Sequence, residues 1–429
     1  MPVPANVSRR DWTFRDAGLR STALRGLNAL GRRLAPRRPR FDPAGLMEQA
    51  AARSGLQDFG DDAFREGLGT LCASLDDEAG LHTLGRIAQR RMLVATLERR
   101  LRLVDHAKRH PEVRDEQVRA PFVVLGLPRT GTTLLSYLLD LDPHTRSLRS
   151  WESLALVPPP TLAGQRDDPR IAQAARDEAR LAALNPPLRA MHPLGATLPT
   201  ECVPLHMLDF RSLGFETQAM VPSYGAWLEG CDMRSAYAIH ELALQVLQAA
   251  IPTGRWALKT PHHLWCLDAL RARYPDAQLV WTHRDPLRVV PSVASLNMSF
   301  YRTWESSPDP RRAGREWNRK LHLATQRGLD FDRRSHDAAW CHHLHYTRLM
   351  AEPVEAVRDL YAHFGEELDP LHERRMHAWM ADRPRDAFGR HRYALDDFGL
   401  RAEVIDEQYA AYRERFDVPR ERCRTGETQ

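Results

Sequence analysis

Residues 126–133 read Gly126-Leu127-Pro128-Arg129-Thr130-Gly131-Thr132-Thr133, the Gly-x-x-x-x-Gly frame of a phosphate-binding loop, and they follow directly on the apolar run Phe122-Val123-Val124-Leu125. Leu134, Leu135, Leu138, Leu139 and Leu141 then recur at helical spacing. A buried strand, a glycine turn and a helix N-terminus in that order make a cradle of backbone N–H groups for an anion. The expected fold class is therefore α/β, a parallel sheet flanked by helices in the manner of P-loop nucleoside triphosphatases. Thr132 stands where an ATPase or kinase carries the lysine that neutralises β- and γ-phosphates, so the loop is poorly built for a triphosphate. The cation has moved inside the loop, to Arg129.

Two further strand–turn–helix units bring a cation to the same edge. Arg255-Trp256-Ala257-Leu258 leads into Lys259, with Thr260 as helix N-cap and Pro261 at the first helical position. Gln278-Leu279-Val280-Trp281-Thr282 leads through His283 to Arg284, with Asp285 as N-cap and Pro286 next. In an open parallel sheet ligands bind beyond the carboxyl ends of the strands, where Lys259, Arg284 and the glycine loop all fall. Leu344-His345-Tyr346 reads as a last strand and Pro353 to Phe364 as its helix, closed by Gly365. Three cationic or N–H-rich corners at one edge imply a strongly anionic nucleotide with phosphates at more than one place.

With those residues in place the chain resembles the sulfotransferases that use 3′-phosphoadenylyl sulfate, over about residues 120–400. Pro128-Arg129-Thr130-Gly131-Thr132-Thr133 is similar to the family's loop for the 5′-phosphosulfate, and Arg284-Asp285-Pro286 with Ser292 resembles its 3′-phosphate element. Geometry alone does not place Ser292 in a site, because it lies roughly 10 Å along its helix from Pro286. Lys259-Thr260-Pro261 is similar to the lysine segment of bacterial and tyrosylprotein sulfotransferases. Gly389-Arg390-His391-Arg392-Tyr393 resembles the segment that closes over the cofactor, which implies that Arg390 or Arg392, and Tyr393, contact it.

The resemblance implies sulfuryl transfer to a small-molecule or lipid hydroxyl, with adenosine 3′,5′-bisphosphate as product and no metal required. The reaction needs a base for the acceptor proton and cations for the departing phosphate. Arg129 and Lys259 are the expected cations; Lys259 is one of three lysines beside 58 arginines. Glu152, in Arg149-Ser150-Trp151-Glu152-Ser153, is the favoured base, with His262, His263 and Glu201 as alternatives. A P-loop kinase is the rival enzyme, and a non-catalytic nucleotide-binding protein at a membrane the rival of another class.

Composition assigns the remaining segments. The chain carries a net +5, of which residues 1–40 contribute +8 through ten arginines and two aspartates, so the remaining 389 residues are net −3. That balance argues against a nucleic-acid-binding core. Residues 1–40 read as a basic arm with Leu24, Leu27, Leu30 and Leu34 on one helical face, either packed on its own domain or a partner, or in peripheral contact with an anionic membrane. Residues 41–111 read as a helical N-terminal region and 112–429 as the catalytic domain. Insertions at about 153–255 and 297–340 are expected to line the acceptor pocket, with Phe215, Tyr224, Trp227, Phe300, Tyr301 and Trp304 as aromatic candidates. Six scattered cysteines without a C-x-x-C pair give neither a disulfide framework nor a thiolate metal site. No apolar run reaches membrane-spanning length and the N-terminus lacks a compact secretory signal, so the expected location is cytoplasmic, at most against the inner face of the membrane.

Overall fold

The computed structural model describes residues 10–18, 22–34, 40–335, 338–382 and 389–421. At its centre lies a five-stranded, wholly parallel sheet. Its strands are β2 (Phe122–Gly126), β3 (Thr145–Ser147), β4 (Arg255–Lys259), β5 (Gln278–His283) and β6 (Cys341–His345), in the spatial order β3-β4-β2-β5-β6. Two two-residue strands, β1 (Asp11–Trp12) and β7 (Arg390–His391), pair separately. All five residues of β2 are buried, as expected of a parallel strand covered on both faces. Alternation along it sends Val123 and Leu125 into a large core with Leu258, Leu279 and Trp281, and Phe122 and Val124 into a smaller one with Ala257, Val280 and Leu344.

The chain goes from central β2 to β3 and β4 on one side, then crosses to β5 and β6 on the other. The sheet thus has its switch point at β2, the place beyond whose strand ends open α/β sheets bind their ligands. Register fixes what meets there: Val124 faces Lys259, and Gly126 faces Thr282, two residues before Arg284. Asp285 caps the helix Pro286–Trp304 by accepting from Leu287 N at 3.0 Å. Thr260 caps from the expected position too, but Pro261–Trp265 is a 3-10 turn and the α-helix begins only at Leu267. The last strand lies earlier than expected, because Tyr346 already starts the helix Tyr346–Ala351 while Cys341-His342-His343 carry the pairing with Leu279, Val280 and Trp281.

The N-terminal helices Pro43–Ser54, Phe64–Asp77 and Thr83–Arg109 place Leu46, Leu68, Leu71, Leu93, Leu97 and Leu101 in the same core as Leu258 and Trp281. One buried arginine ties them to the rest. Arg100 donates to Asp209 (3.0 Å) and to the carbonyls of Phe59 (2.8 Å), Asp61 (2.7 Å) and Leu208 (3.0 Å), and its guanidinium lies over the Phe64 ring. Asp209 also accepts from Arg211 and Ser235, both at 2.8 Å or less. Breaking a buried, fully hydrogen-bonded pair leaves an uncompensated charge behind. Arg100→Ala is therefore expected to cost about 3–5 kcal/mol in urea unfolding; a loss under about 1 kcal/mol would show that the packed leucines hold these helices alone.

Candidate functional site

The glycine loop is shaped by one close approach. Gly126 has φ +128°, and a Cβ there would come within 2.5 Å of the Thr282 carbonyl on β5. The chain then turns through Arg129, a non-glycine residue at φ +70°, and Gly131 at φ +93° into the helix Thr132–Leu139. Thr130 is buried and locks the turn, donating to Leu127 O at 2.6 Å while its hydroxyl shares a 2.6 Å bond with that of Thr282. Thr132 is buried, and Pro128, Gly131 and Thr133 are half-buried around the helix N-terminus, where backbone N–H groups have no intrahelical partner.

Arg129 folds across this turn. Its Nε donates to Ser292 Oγ at 3.2 Å and its Nη1 to the Met191 carbonyl, and among the described residues it pairs with no carboxylate. Ser292, which sequence geometry alone did not bring in, is thus in contact with the loop. Arg284 closes the other side, donating through Nη1 to the Arg129 carbonyl at 2.9 Å, with its guanidinium 3.8 Å from the centre of the Tyr346 ring. Burial holds the Arg129 pKa below its ordinary value, and the Arg284 charge adds to that, against Tyr393 and Tyr346. Burial works against the Arg284 charge too, but the Glu421 carboxylate, with Tyr346 and Tyr393, outweighs it and raises that pKa. Two cations thus share one corner, and among the described residues only Arg284 has a carboxylate beside it.

The third corner is built by a chain crossing. Residues 196–202 run beside 148–151: Trp151 N bonds Ala196 O, Thr200 N bonds Leu148 O, and Cys202 N reaches the Lys259 carbonyl at 2.8 Å. This sets Glu201 against Lys259, Nζ to Oε1 2.9 Å, with the lysine 2% exposed and the glutamate 24%. Glu152 faces inward instead. It is 2% exposed, its Oε1 takes Arg146 Nη2 at 2.8 Å and its Oε2 takes Arg149 N at 3.2 Å as part of a capping box, so both oxygens are engaged in structure. His262 and His263 are buried in a cluster with His206, Tyr237 and His240, where His263 Nδ1 bonds Tyr237 Oη at 2.8 Å. Burial, with neighbouring histidines adding to it, holds both pKa values well below ordinary.

Several residues enter that the sequence did not single out. His192 follows Met191 and is held at a pKa of about 4 by burial, with Lys259 and Arg129 adding to the shift and Glu201 opposing it. Its neighbours in that field are the residues of the loop and of the lysine corner. Tyr346 stacks under Arg284, and His391 bonds Ser295 Oγ at 2.8 Å in the helix that carries Ser292. The only sequence signal for His192 is the punctuation of His192-Pro193, and none marks Tyr346. Of the segment expected over the cofactor, Arg390 is exposed and paired in β7 with β1, Arg392 reaches Asp11 at 3.3 Å, and Tyr393 lies within the field of both Arg129 and Arg284. Phe215, Tyr224 and Tyr301, read as pocket candidates, belong to the core. A cavity of about 360 Å³ lined by Leu228, Trp265, Leu267 and Arg327 contains no loop residue. Among the described residues no cluster of histidine, cysteine or carboxylate side chains is placed to hold a metal ion.

This geometry has counterparts. The chain is similar to sulfotransferase STF9 from Mycobacterium avium, at 33% identity and a TM-score of 0.81, over 88% of this chain and 97% of that one. It is similar to sulfotransferase STF1 from Mycobacterium tuberculosis H37Rv at 32% identity and a TM-score of 0.77, over 86% and 98% of the two chains. A comparison with curated proteins finds no match. The sulfotransferase family pattern matches residues 121–370, which span the glycine loop, Lys259, Arg284 and Ser292, and the chain belongs to the sulfotransferase family.

Proposed function

We propose that the enzyme moves a sulfuryl group from 3′-phosphoadenylyl sulfate to a hydroxyl of a small-molecule or lipid acceptor. One observation carries this reading: Arg129, without a carboxylate partner among the described residues, lies in contact with Ser292 and one carbonyl away from Arg284, so two guanidinium groups and a helix N-terminus face the same strand edge. An edge so charged favours a ligand with two separated anionic groups. The loop amides of residues 130–133 with Arg129 take the 5′-phosphosulfate, and Arg284 with Ser292 takes the 3′-phosphate, with Tyr393 and either Arg390 or Arg392 at the rim. ATP lacks a 3′-phosphate and the loop lacks the lysine a triphosphate needs, which disfavours a kinase.

Sulfuryl transfer forms a bond from the acceptor oxygen to sulfur, breaks the bond from sulfur to the 5′-phosphate oxygen, and releases the acceptor proton. Arg129 and Lys259 stabilise charge on the departing phosphate oxygen. The proton goes to Glu201. Its Oε1 bonds the Lys259 ammonium at 2.9 Å, which holds the carboxylate at the cation corner, and its Oε2 carries no hydrogen bond among the described residues. Glu152 is engaged through both oxygens and serves to hold the corner.

Two measurements test these assignments. Adenosine 3′,5′-bisphosphate is expected to bind far more tightly than AMP in calorimetry without magnesium. Arg284→Ala should reduce that preference by about ten- to a hundredfold. Equal binding of the two nucleotides to wild type, or a strict magnesium requirement with ATP preferred, contradicts the donor assignment. Glu201→Gln is expected to lower kcat by about 10²-fold or more with bisphosphate affinity nearly unchanged, whereas Glu152→Gln lowers stability and leaves the folded enzyme's kcat within a few fold. The reverse pattern returns the base to Glu152.

A second reading concerns the arm. Residues 10–18 pack on the enzyme itself: β1 pairs with β7, Phe14 is buried against Phe398, and Arg15 pairs with Asp397 at 2.7 Å. The following helix Thr22–Leu34 is attached through Asn28, which accepts from Thr83 N at 2.8 Å, and leaves Leu27 (55%) and Leu30 (50%) exposed beside Arg25. Leu24 and Leu34, the other leucines of that face, have side chains outside the described set. An exposed apolar pair on a strongly basic segment fits an anionic lipid surface. Full-length protein should sediment with phosphatidylserine vesicles at low salt, and Leu27→Glu with Leu30→Glu should abolish this while activity on a soluble acceptor persists. Indifference of the wild type to such vesicles makes the helix purely structural. Among the described residues no helix is long and apolar enough to cross a membrane.

A further inference from the structure

The last helix among the described residues, Ala410–Phe416, ends at Asp417 in the left-handed conformation, and residues 417–421 run from there back to the switch point. Val418 is buried, and Arg420 pairs with Asp406 at 2.8 Å. Glu421 N then donates at 2.8 Å to Asp285 Oδ2, the N-cap of the helix that carries Ser292. The Glu421 side chain lies flat against Arg284, Oε1 taking Nε at 2.6 Å and Oε2 taking Nη2 at 3.0 Å. Arg284 Nη1 is already bonded to the Arg129 carbonyl. Every nitrogen of that guanidinium is therefore engaged, and its Nε–Nη2 edge holds a carboxylate.

A carboxylate and a phosphate present the same pair of oxygens to an arginine fork, so they compete for it. Arg129, one carbonyl away, has no such internal partner among the described residues. The asymmetry is specific to the half of the site assigned to the 3′-phosphate. We propose that Glu421 is an internal stand-in for the donor's 3′-phosphate, and that the segment 417–421 is a strap that closes the resting site and is displaced when the donor binds. The proposal rests on the reading of Arg284 as the 3′-phosphate residue. Asp285 gives the strap a second hold: it receives Arg413 Nη2 at 2.5 Å as well as Glu421 N, so release of Glu421 leaves the aspartate paired. The segment can thus lift at its last residue without unpacking the helix before it.

A strap closed in most molecules lowers apparent affinity by the fraction of open sites, so its removal raises affinity by the inverse of that fraction. Glu421→Gln keeps the shape of the side chain and removes its charge; Glu421→Ala removes the fork as well. Calorimetry on the full-length protein compares adenosine 3′,5′-bisphosphate and AMP on wild type and both variants. The expected result is that both variants bind the bisphosphate about tenfold or more tightly than wild type, while AMP, which does not reach Arg284, changes by less than about twofold. If the bisphosphate is preferred by wild type but both variants bind it equally or more weakly, the carboxylate only orients Arg284 and the strap is refuted. If wild type shows no preference for the bisphosphate over AMP, the 3′-phosphate assignment of Arg284 fails, and the strap with it.

Discussion

The register of β2 against its two neighbours is the constraint on which the site depends. Gly126 opposite Thr282 lets the turn pass so close to β5 that the Arg129 carbonyl comes within hydrogen-bond reach of Arg284, and Val124 opposite Lys259 sets the third cation at the same edge. A residue with a Cβ at 126 would meet the Thr282 carbonyl and push the turn away. Shifting either strand by one residue would turn Lys259 to the other face of the sheet or move Arg284 along the edge. The hydrophobic alternation of β2 and β5 resists such a slip, since it would exchange the contents of the two cores. Packing in the sheet and chemistry at its edge are thus one geometric fact.

The cations so gathered repel one another, and burial adds to the cost of their charges. The molecule offsets this unevenly. Lys259 has Glu201 and Arg284 has Glu421, whereas Arg129 has a serine hydroxyl and a backbone carbonyl. An anion in the loop would relieve the electrostatic strain on Arg129, as the proposed transfer to an acceptor requires. The two glutamates have different proposed parts: Glu201 beside Lys259 takes the acceptor proton, and Glu421 occupies the arginine fork.

Much of this was legible in the sequence, and the parts that were not share a physical cause. The central strands announced themselves as apolar runs, and Asp285-Pro286 and Thr260-Pro261 marked the turns that carry Arg284 and Lys259. The edge strand β3 was missed because Thr145-Arg146-Ser147 has no apolar pattern, and the β1–β7 pair because two residues carry no periodicity. Contacts made across long stretches of chain were equally silent. Ser292 entered only through family likeness, and its bond to Arg129 depends on how a helix packs against the loop. Glu152 and Glu201 illustrate the same limit, for nothing local distinguishes a capping glutamate from one facing a lysine 58 residues away. His192 and Glu421 become visible only when distant segments are seen to converge.

A crystal structure of the full-length protein with adenosine 3′,5′-bisphosphate tests the central claim most directly. The account predicts the 5′-phosphate on the backbone N–H groups of residues 130–133 and Arg129, and the 3′-phosphate on Arg284 and Ser292, with the Glu421 carboxylate displaced from the Arg284 fork. A nucleotide bound elsewhere, or one whose 3′-phosphate points to solvent while Arg284 keeps its carboxylate, would contradict it.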